Sequence, residues 1–262
     1  MTARRIRGSR WAWGFLGALA LSAAAAPLLA PYAVDAVELA ARRAAPSAAH
    51  WFGTDELGRD LFTRVLWGAR VSLVLGGLAA LASAIVGTAV GSVAALGRPW
   101  VDDLLMRLTD AMLAIPRLPL LMLAAAVLHP GIPLLVVLVG GTGWMETARV
   151  VRAEVRTVAT QEYVEASRAV GASPWRTWWR QLLPGVLPAV QVATTLAVAR
   201  SLLLESTLSF LGVGVQPPTA SWGSMLYQAQ ATMATAPWLA VFPGACICAT
   251  VLACNLAGDR AS

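Results

Sequence analysis

Few side chains in this chain of 262 residues could do covalent chemistry, and their spacing does not suit it. Nucleophilic catalysis needs a nucleophile within hydrogen-bond reach of a base that a third group orients. The two histidines, His50 and His129, stand alone outside the apolar runs. Cys246, Cys248 and Cys254 share one apolar stretch with no His or carboxylate beside them, so they read as small buried hydrophobes and not as a metal set. All twenty basic residues are arginine. Without lysine the chain can build neither a Walker A phosphate loop nor a Schiff base. We therefore expect no catalytic residue, no metal and no cofactor here, and any ATP chemistry must sit on another chain.

Two ionisable groups lie in apolar surroundings, Arg200 and Glu205. Such a group costs about 2.5–3.5 kcal/mol inside a membrane unless it faces protein or water. Five residues apart on a helix, the two point about 140° from each other, so they are not expected to pair together. Arg200 is the deeper and is expected to face a translocation path or a partner; Glu205, nearer the outer end, is expected to be solvated.

The elements that must position these groups are membrane spans. The chain is 58% hydrophobic and 13% charged, with mean hydropathy +0.65, against about one quarter charged in a soluble domain. Runs of some 20 residues with few charges mark spans: Trp11–Pro31, Val71–Gly97, two meeting at a His129-Pro130-Gly131 turn (112–129 and 132–149), Val186–Glu205 and Pro237–Gly258. With the N-terminus in the cytoplasm, the segments 1–10, 98–117, 149–185 and the tail hold fourteen of the twenty arginines, as the positive-inside rule requires. That topology accounts for the basic charge without nucleic acid. The first run also has the outline of a signal peptide; an uncleaved span is expected, and the orientation is the same. Asp110 and Arg117 are expected at the inner interface, on an amphipathic helix starting near Asp102.

The segment Gln161–Pro184 reads as helix, break, helix. Gly171 suits a left-handed stop, Ser173 an N-cap and Pro174 a first helical position, with Pro184 ending the second piece. Tyr163, Ala166, Ser167 and Val170 share a face that another surface could approach closely, flanked by Glu165 and Arg168. Trp175, Trp178, Trp179 and Leu182 make an apolar stripe of interfacial character. On spacing alone this is either a docking elbow or a connector lying on the membrane. Upstream, Thr54 or Asp55 is expected to cap an amphipathic helix whose wet face carries Asp55, Glu56, Arg59, Asp60 and Arg64 along the outer surface, as a structural lip or as a substrate contact.

The elbow resembles the EAA loop of ABC importer permeases: Glu165-Ala166, Gly171 and Leu183-Pro184 fall in register, with Ser167 for the second alanine and Gln181 for isoleucine. Gly53-Thr-Asp-Glu-Leu-Gly-Arg-Asp60 and the stretch Glu205–Pro218 narrow the likeness to the dipeptide/oligopeptide/nickel branch, as its second, C-type permease, from about residue 50 to the end. The resemblance implies an all-α polytopic membrane protein of the type I, MetI-like permease fold, with six spans and a cytoplasmic coupling helix. Residues 1–69 would form the N-terminus, first span and external segment, 70–258 the permease domain with its coupling loop at 150–185, and 259–262 a cytoplasmic tail. It further implies that Glu165, Ala166, Ser167, Arg168, Gly171, Leu183 and Pro184 dock an ATPase.

The implied assembly holds a second, homologous permease, two ATP-binding cassette domains or subunits carrying ATP and Mg, an extracytoplasmic solute-binding protein and membrane lipid. Arg200 and Glu205 are candidates for the path. Asp55, Arg59, Asp60, Pro217, Pro218 and Trp222 are candidates for the external gate or the binding-protein contact. Short peptides are the expected substrate, nickel or a metal chelate the alternative; an ion-coupled secondary transporter would need mid-membrane carboxylates, and only Glu205 comes near.

Overall fold

The computed structural model describes residues 2–128 and 131–258, residues 2–10 by backbone alone. The expected turn at His129-Pro130 and the tail 259–262 therefore lie outside the described residues. Helix α1 (Thr2–Ala24) and the single turn α2 (Ala26–Leu29) lead into an irregular segment. Then follow α3 (Leu61–Leu96), α4 (Pro99–Ala114), α5 (Arg117–Leu128), α6 (Ile132–Gly141), α7 (Trp144–Ala159), α8 (Glu162–Ala169), α9 (Pro174–Thr177), α10 (Leu183–Phe210), α11 (Trp222–Ala229) and α12 (Trp238–Gly258). Among the described residues the one β-bridge joins Thr54 and Asp60.

By length and composition α3, the continuous rod Pro174–Phe210 and α12 can each cross a membrane. The pairs α4–α5 and α6–α7 qualify together but bend by 80° and 40°, giving up to five spans, and Trp11–Ala24 is a shorter apolar stretch. The expected third span thus starts late. Ile115, preceding Pro116, is held in an extended conformation, because the proline ring disfavours helical backbone before it. Helix α4, with four charged residues among sixteen, meets α5 at 80° and does not continue its line.

Two further boundaries depart from expectation. Pro184 does not end a helix: it sits in the first turn of α10, and a π-turn at Trp178–Leu182 loosens the ladder just before it, where its missing N–H would otherwise break an i→i−4 bond. No outer amphipathic helix starts at Thr54 or Asp55. Instead the Asp55 carboxylate accepts from the Leu57 and Arg59 amides at 2.8 and 2.9 Å, a local turn that competes with helix. Asp60 caps α3, accepting from the Thr63 amide at 2.8 Å.

Helix α3 is the centre of the bundle; α1, α6, α7, α10 and α11 all pack on it. Lipid tails are as apolar as leucine, so helices in a membrane associate through close packing and small residues. The buried face of α3 is built accordingly, with Ser72, Gly76, Ala79, Ala80, Ser83, Ala84, Gly87 and Gly91. A Cβ on Gly87 would stand 2.6 Å from Thr147 Cβ, and one on Gly91 would stand 2.5 Å from the Ala148 carbonyl oxygen. Helices α3 and α7 therefore touch backbone to backbone. Gly77, on the same helix, would meet nothing within 4 Å.

Gly91→Ala is expected to lower the thermal midpoint of the purified protein, by an overpacking cost of about 1–3 kcal/mol. Gly77→Ala should leave the midpoint unchanged or raise it, since alanine is the better helix former. Equal midpoints for the two variants would contradict the α3–α7 contact.

Candidate functional site

The elbow is rooted in α7. Val164 of α8 is buried with Val151, Val155 and Val158 of α7 and with Leu182 and Val186 beyond the bend. Helix α8 ends as the sequence predicts: Gly171 has φ +86°, its amide donates to the Arg168 carbonyl at 3.0 Å, and the Ala172 amide donates to Ser167 at 3.1 Å. This is the paired bonding of a Schellman stop. Ser173 then caps α9 by accepting from the Arg176 amide at 3.3 Å, with Pro174 next.

The bend leaves its outer face uncovered. Tyr163, Glu165, Ala166, Arg168 and Val170 are exposed and Ser167 is half-buried; Val170 keeps 85% of its surface. Leu183 is half-buried and Pro184 exposed. The rings of Trp175, Trp178 and Trp179 lie against one another with centroids 5.4–6.0 Å apart. A short helix set at a fixed angle to the rod that starts at Pro174, with Tyr163, Glu165, Ala166, Arg168 and Val170 outward, can fit a groove on another protein.

A polar clamp braces this end of the bundle. Arg152 and Arg156 of α7 both donate to Asp102 of α4, and Arg149 pairs with Asp110. The hydrogen bond from Arg152 holds the Asp102 carboxyl below the usual carboxylate range. Asp110 thus lies on the charged helix expected near Asp102, whereas Arg117 does not: it opens α5 and turns inward, donating to Thr142 Oγ1 at 2.9 Å and to the Val139 carbonyl at 2.7 Å.

Arg200 lines a cavity of about 430 Å³ between α3, α7 and the first half of α10. It forms an ion pair with Glu146 of α7, and Arg117 and Glu154 share the wall. Glu205 is elsewhere and is not solvated. It is fully buried and accepts from Ser72, Ser206 and Ser209 at 3.2, 3.4 and 2.8 Å. Its helical neighbours and Ser72 of α3 take the place of water, so it is a staple between α3 and α10 and lies outside the cavity wall. Arg200 and Glu205 do not pair together, as expected.

At the opposite end, Asp55 and Asp60 are buried instead of wet: Asp55 pairs with Arg59 at 2.7 Å and Asp60 with His50 at 2.9 Å. Pro217 and Pro218 are exposed. Trp222 is not available to a partner. It is fully buried in the core with Leu61, Val65 and Ala69, and its ring N–H donates to the Val65 carbonyl at 3.0 Å. Ser221 and Ser224 form a capping box that opens α11 there and turns the ring inward.

Sequence reasoning missed Glu146, Asp102 with its two arginines as a clamp, and the burial of Arg64. Each depends on a partner far along the chain. The one local hint was Glu146 opening a helix pattern directly after Gly140-Gly141-Thr142-Gly143.

Comparison with known proteins agrees with this architecture. The family model described as binding-protein-dependent transport system inner membrane component matches residues 87–261. The dipeptide transport system permease protein DppC of Bacillus subtilis (strain 168) is 40% identical over 234 residues, which is 89% of this chain and 73% of that protein. The oligopeptide transport system permease protein OppC of the same organism is 36% identical over 239 residues, 91% and 78% of the two chains. A solved chain of the MetNI methionine ABC transporter, described as inward facing, superposes with TM-score 0.63 at 20% identity over 76% of this chain and 95% of its own; at that identity the likeness concerns the fold.

Because the Asp102 carboxyl titrates below its ordinary value, its pairing contributes fully above the ordinary carboxylate value of about 3.9. The contribution is lost as the pH falls further, through the lowered value. Asp102→Asn should therefore lower the thermal midpoint at pH 7, and the gap to the unaltered protein should close below about pH 4. A gap that does not change with pH would contradict the clamp.

Proposed function

Since this chain belongs to the family of binding-protein-dependent transport system inner membrane components, we propose that it forms half of the translocation path of an ATP-driven importer for short peptides. It is a multi-pass membrane permease component. In this reading it does no covalent chemistry; ATP and Mg are held by two partner ATPase domains. A second, homologous permease closes the path, and an extracytoplasmic solute-binding protein delivers the substrate.

The observation that supports this reading most strongly is the elbow. Its outward face combines polar Glu165 and Arg168, small Ala166 and exposed Tyr163 and Val170, its angle is fixed by Gly171 and Ser173, and its root is buried with α7. The elbow belongs to the arginine-rich segment 149–185, which Arg152 and Arg156 join to Asp102 of the arginine-rich segment 98–117; under the positive-inside rule this supports a cytoplasmic elbow and cytoplasmic termini. There Glu165, Ala166, Ser167, Arg168 and Gly171 meet the ATPase, with Leu183 and Pro184 at the exit. Movement of the elbow passes along α7 to the cavity, whose wall carries the Arg200–Glu146 pair between α10 and α7. At the outer end Pro217 and Pro218 are positioned to meet the binding protein. Peptides are favoured because the similar DppC and OppC are named for dipeptide and oligopeptide transport. Nickel is the weaker reading, since neither of these relatives is named for it.

Uptake tests this directly. A strain lacking the chain should lose ATP-dependent accumulation of labelled dipeptide but not of nickel, and the restored chain should return it. Glu165→Ala with Gly171→Val should abolish uptake while the protein stays in the membrane at its usual amount, since a branched residue at φ +86° costs roughly 1–2 kcal/mol and displaces the bend. Normal uptake by that double variant would reduce the elbow to a connector.

A further inference from the structure

The cavity of about 430 Å³ between α3, α7 and α10 carries four charged side chains, of which only two answer each other. Arg200 pairs with Glu146, and each keeps about half of its side-chain surface exposed. Arg117 reaches the same level, since the Thr142 hydroxyl and Val139 carbonyl that hold it lie just before Glu146 in the chain. Both of those acceptors are neutral, and half-buried Arg117 has no ion-pair partner among the described residues. Glu154 is also half-buried, and also without an ion-pair partner among the described residues. It follows Glu146 on α7 by about 12 Å along the axis, toward the elbow.

Exposed Val150 and half-buried Leu196 line the same cavity and supply apolar wall. The two unanswered charges are thus opposite in sign and stand apart, and each is costly while it has no partner. A ligand with a carboxylate at one end and an ammonium at the other satisfies both, and the planar guanidinium suits the carboxylate. An extended chain advances about 3.3–3.6 Å per residue, so three or four residues match the gap. The cavity volume falls within the range of about 300–1,000 Å³ usual for small-ligand sites.

We propose that this cavity holds a short peptide lengthwise, its C-terminal carboxylate on Arg117 beside the Arg200–Glu146 pair, its N-terminal ammonium on Glu154, and its side chains against Val150 and Leu196. With the elbow in the cytoplasm, the ammonium end points inward, so the peptide leaves N-terminus first. The site rests on the importer reading above and adds the residues that grip the substrate and the direction in which it travels.

The test uses the purified complex of both permeases and the ATPases, without nucleotide or binding protein, so that the binding protein's own preference does not enter. Tripeptides with a photoactivatable side chain at the first or the last position are crosslinked to it, and the adducts are mapped by mass spectrometry. The first-position probe should label the 188–192 end of the cavity and the last-position probe the Arg200 end. The half-saturating concentration of either probe should rise roughly tenfold in Arg117→Gln and in Glu154→Gln, the loss expected for one charge-assisted hydrogen bond. The C-terminal amide should bind Arg117→Gln and the unaltered complex alike, and the N-acetyl form should bind Glu154→Gln and the unaltered complex alike. Adducts in the reverse order, adducts outside the cavity only, or variants that weaken all forms equally or change none would each overturn the site. Should Arg117→Gln fail to assemble, Glu154→Gln and the adduct order in the unaltered complex decide. Uptake of the same tripeptides into proteoliposomes with the binding protein separates the two readings. Transport without adducts in the cavity overturns the site alone, whereas no transport overturns the peptide reading, and the site falls with it.

Discussion

The backbone contact between α3 and α7 is the constraint on which the rest depends. A bilayer gives apolar helices no hydrophobic reason to associate, so the bundle holds where chains come close enough for dispersion and polar contacts to act. Gly87 and Gly91 bring α3 against Thr147 and Ala148 with no room for a Cβ. Helix α7 is thereby a rod fixed along much of its length. Its free end carries Val155 and Val158 into the small core that roots α8. Any displacement of the elbow tip must be taken up by this rod, because the two packed backbones cannot slide past each other without clashing.

Polar side chains serve as ties in places where apolar contact would not suffice. Glu205 collects three serine hydroxyls and, through Ser72, also reaches the Trp222 amide at 3.2 Å, so that α3, α10 and α11 share one hydrogen-bonded knot. Asp102 gathers two arginines of α7 onto α4. These groups are costly in apolar surroundings unless satisfied, and once satisfied they fix a unique arrangement. The Arg200–Glu146 pair is different. Both side chains are about half exposed, and they face each other across a cavity wall between α7 and α10. A pair in that setting is weak enough to open when the two helices move, which suits a path and not a staple.

The legible parts of the sequence were those whose cause is local. Gly171 followed by Ser173-Pro174 encodes a stop and a start within four residues, and the elbow folds that way. Long apolar runs gave the rods; the bend at Pro116 departs from the span expected over 112–129, although the restriction proline places on Ile115 is just as local. What escaped needed partners far along the chain. Glu205 looked wet because nothing nearby in sequence says that Ser72, 133 residues earlier, will face it. Trp222 looked like loop surface because the capping box that turns it inward precedes a helix of only eight residues. Asp55 was placed on a wet helical face because its charge pattern fits one, yet its carboxylate finds its own backbone first. Pattern reading assigns faces to helices; it cannot see when a side chain prevents the helix.

The central claim is that the elbow is gripped from the cytoplasm by a nucleotide hydrolase. A single cysteine placed at Ala166, with Cys246, Cys248 and Cys254 replaced by alanine, allows a direct measurement in native membranes: crosslinking to co-assembled proteins, with and without ATP. The account predicts one major adduct, to an ATPase subunit, formed from the cytoplasmic side and changing in yield with nucleotide. Labelling of that cysteine from the outer side, or no protein adduct while lipid probes react, would contradict it.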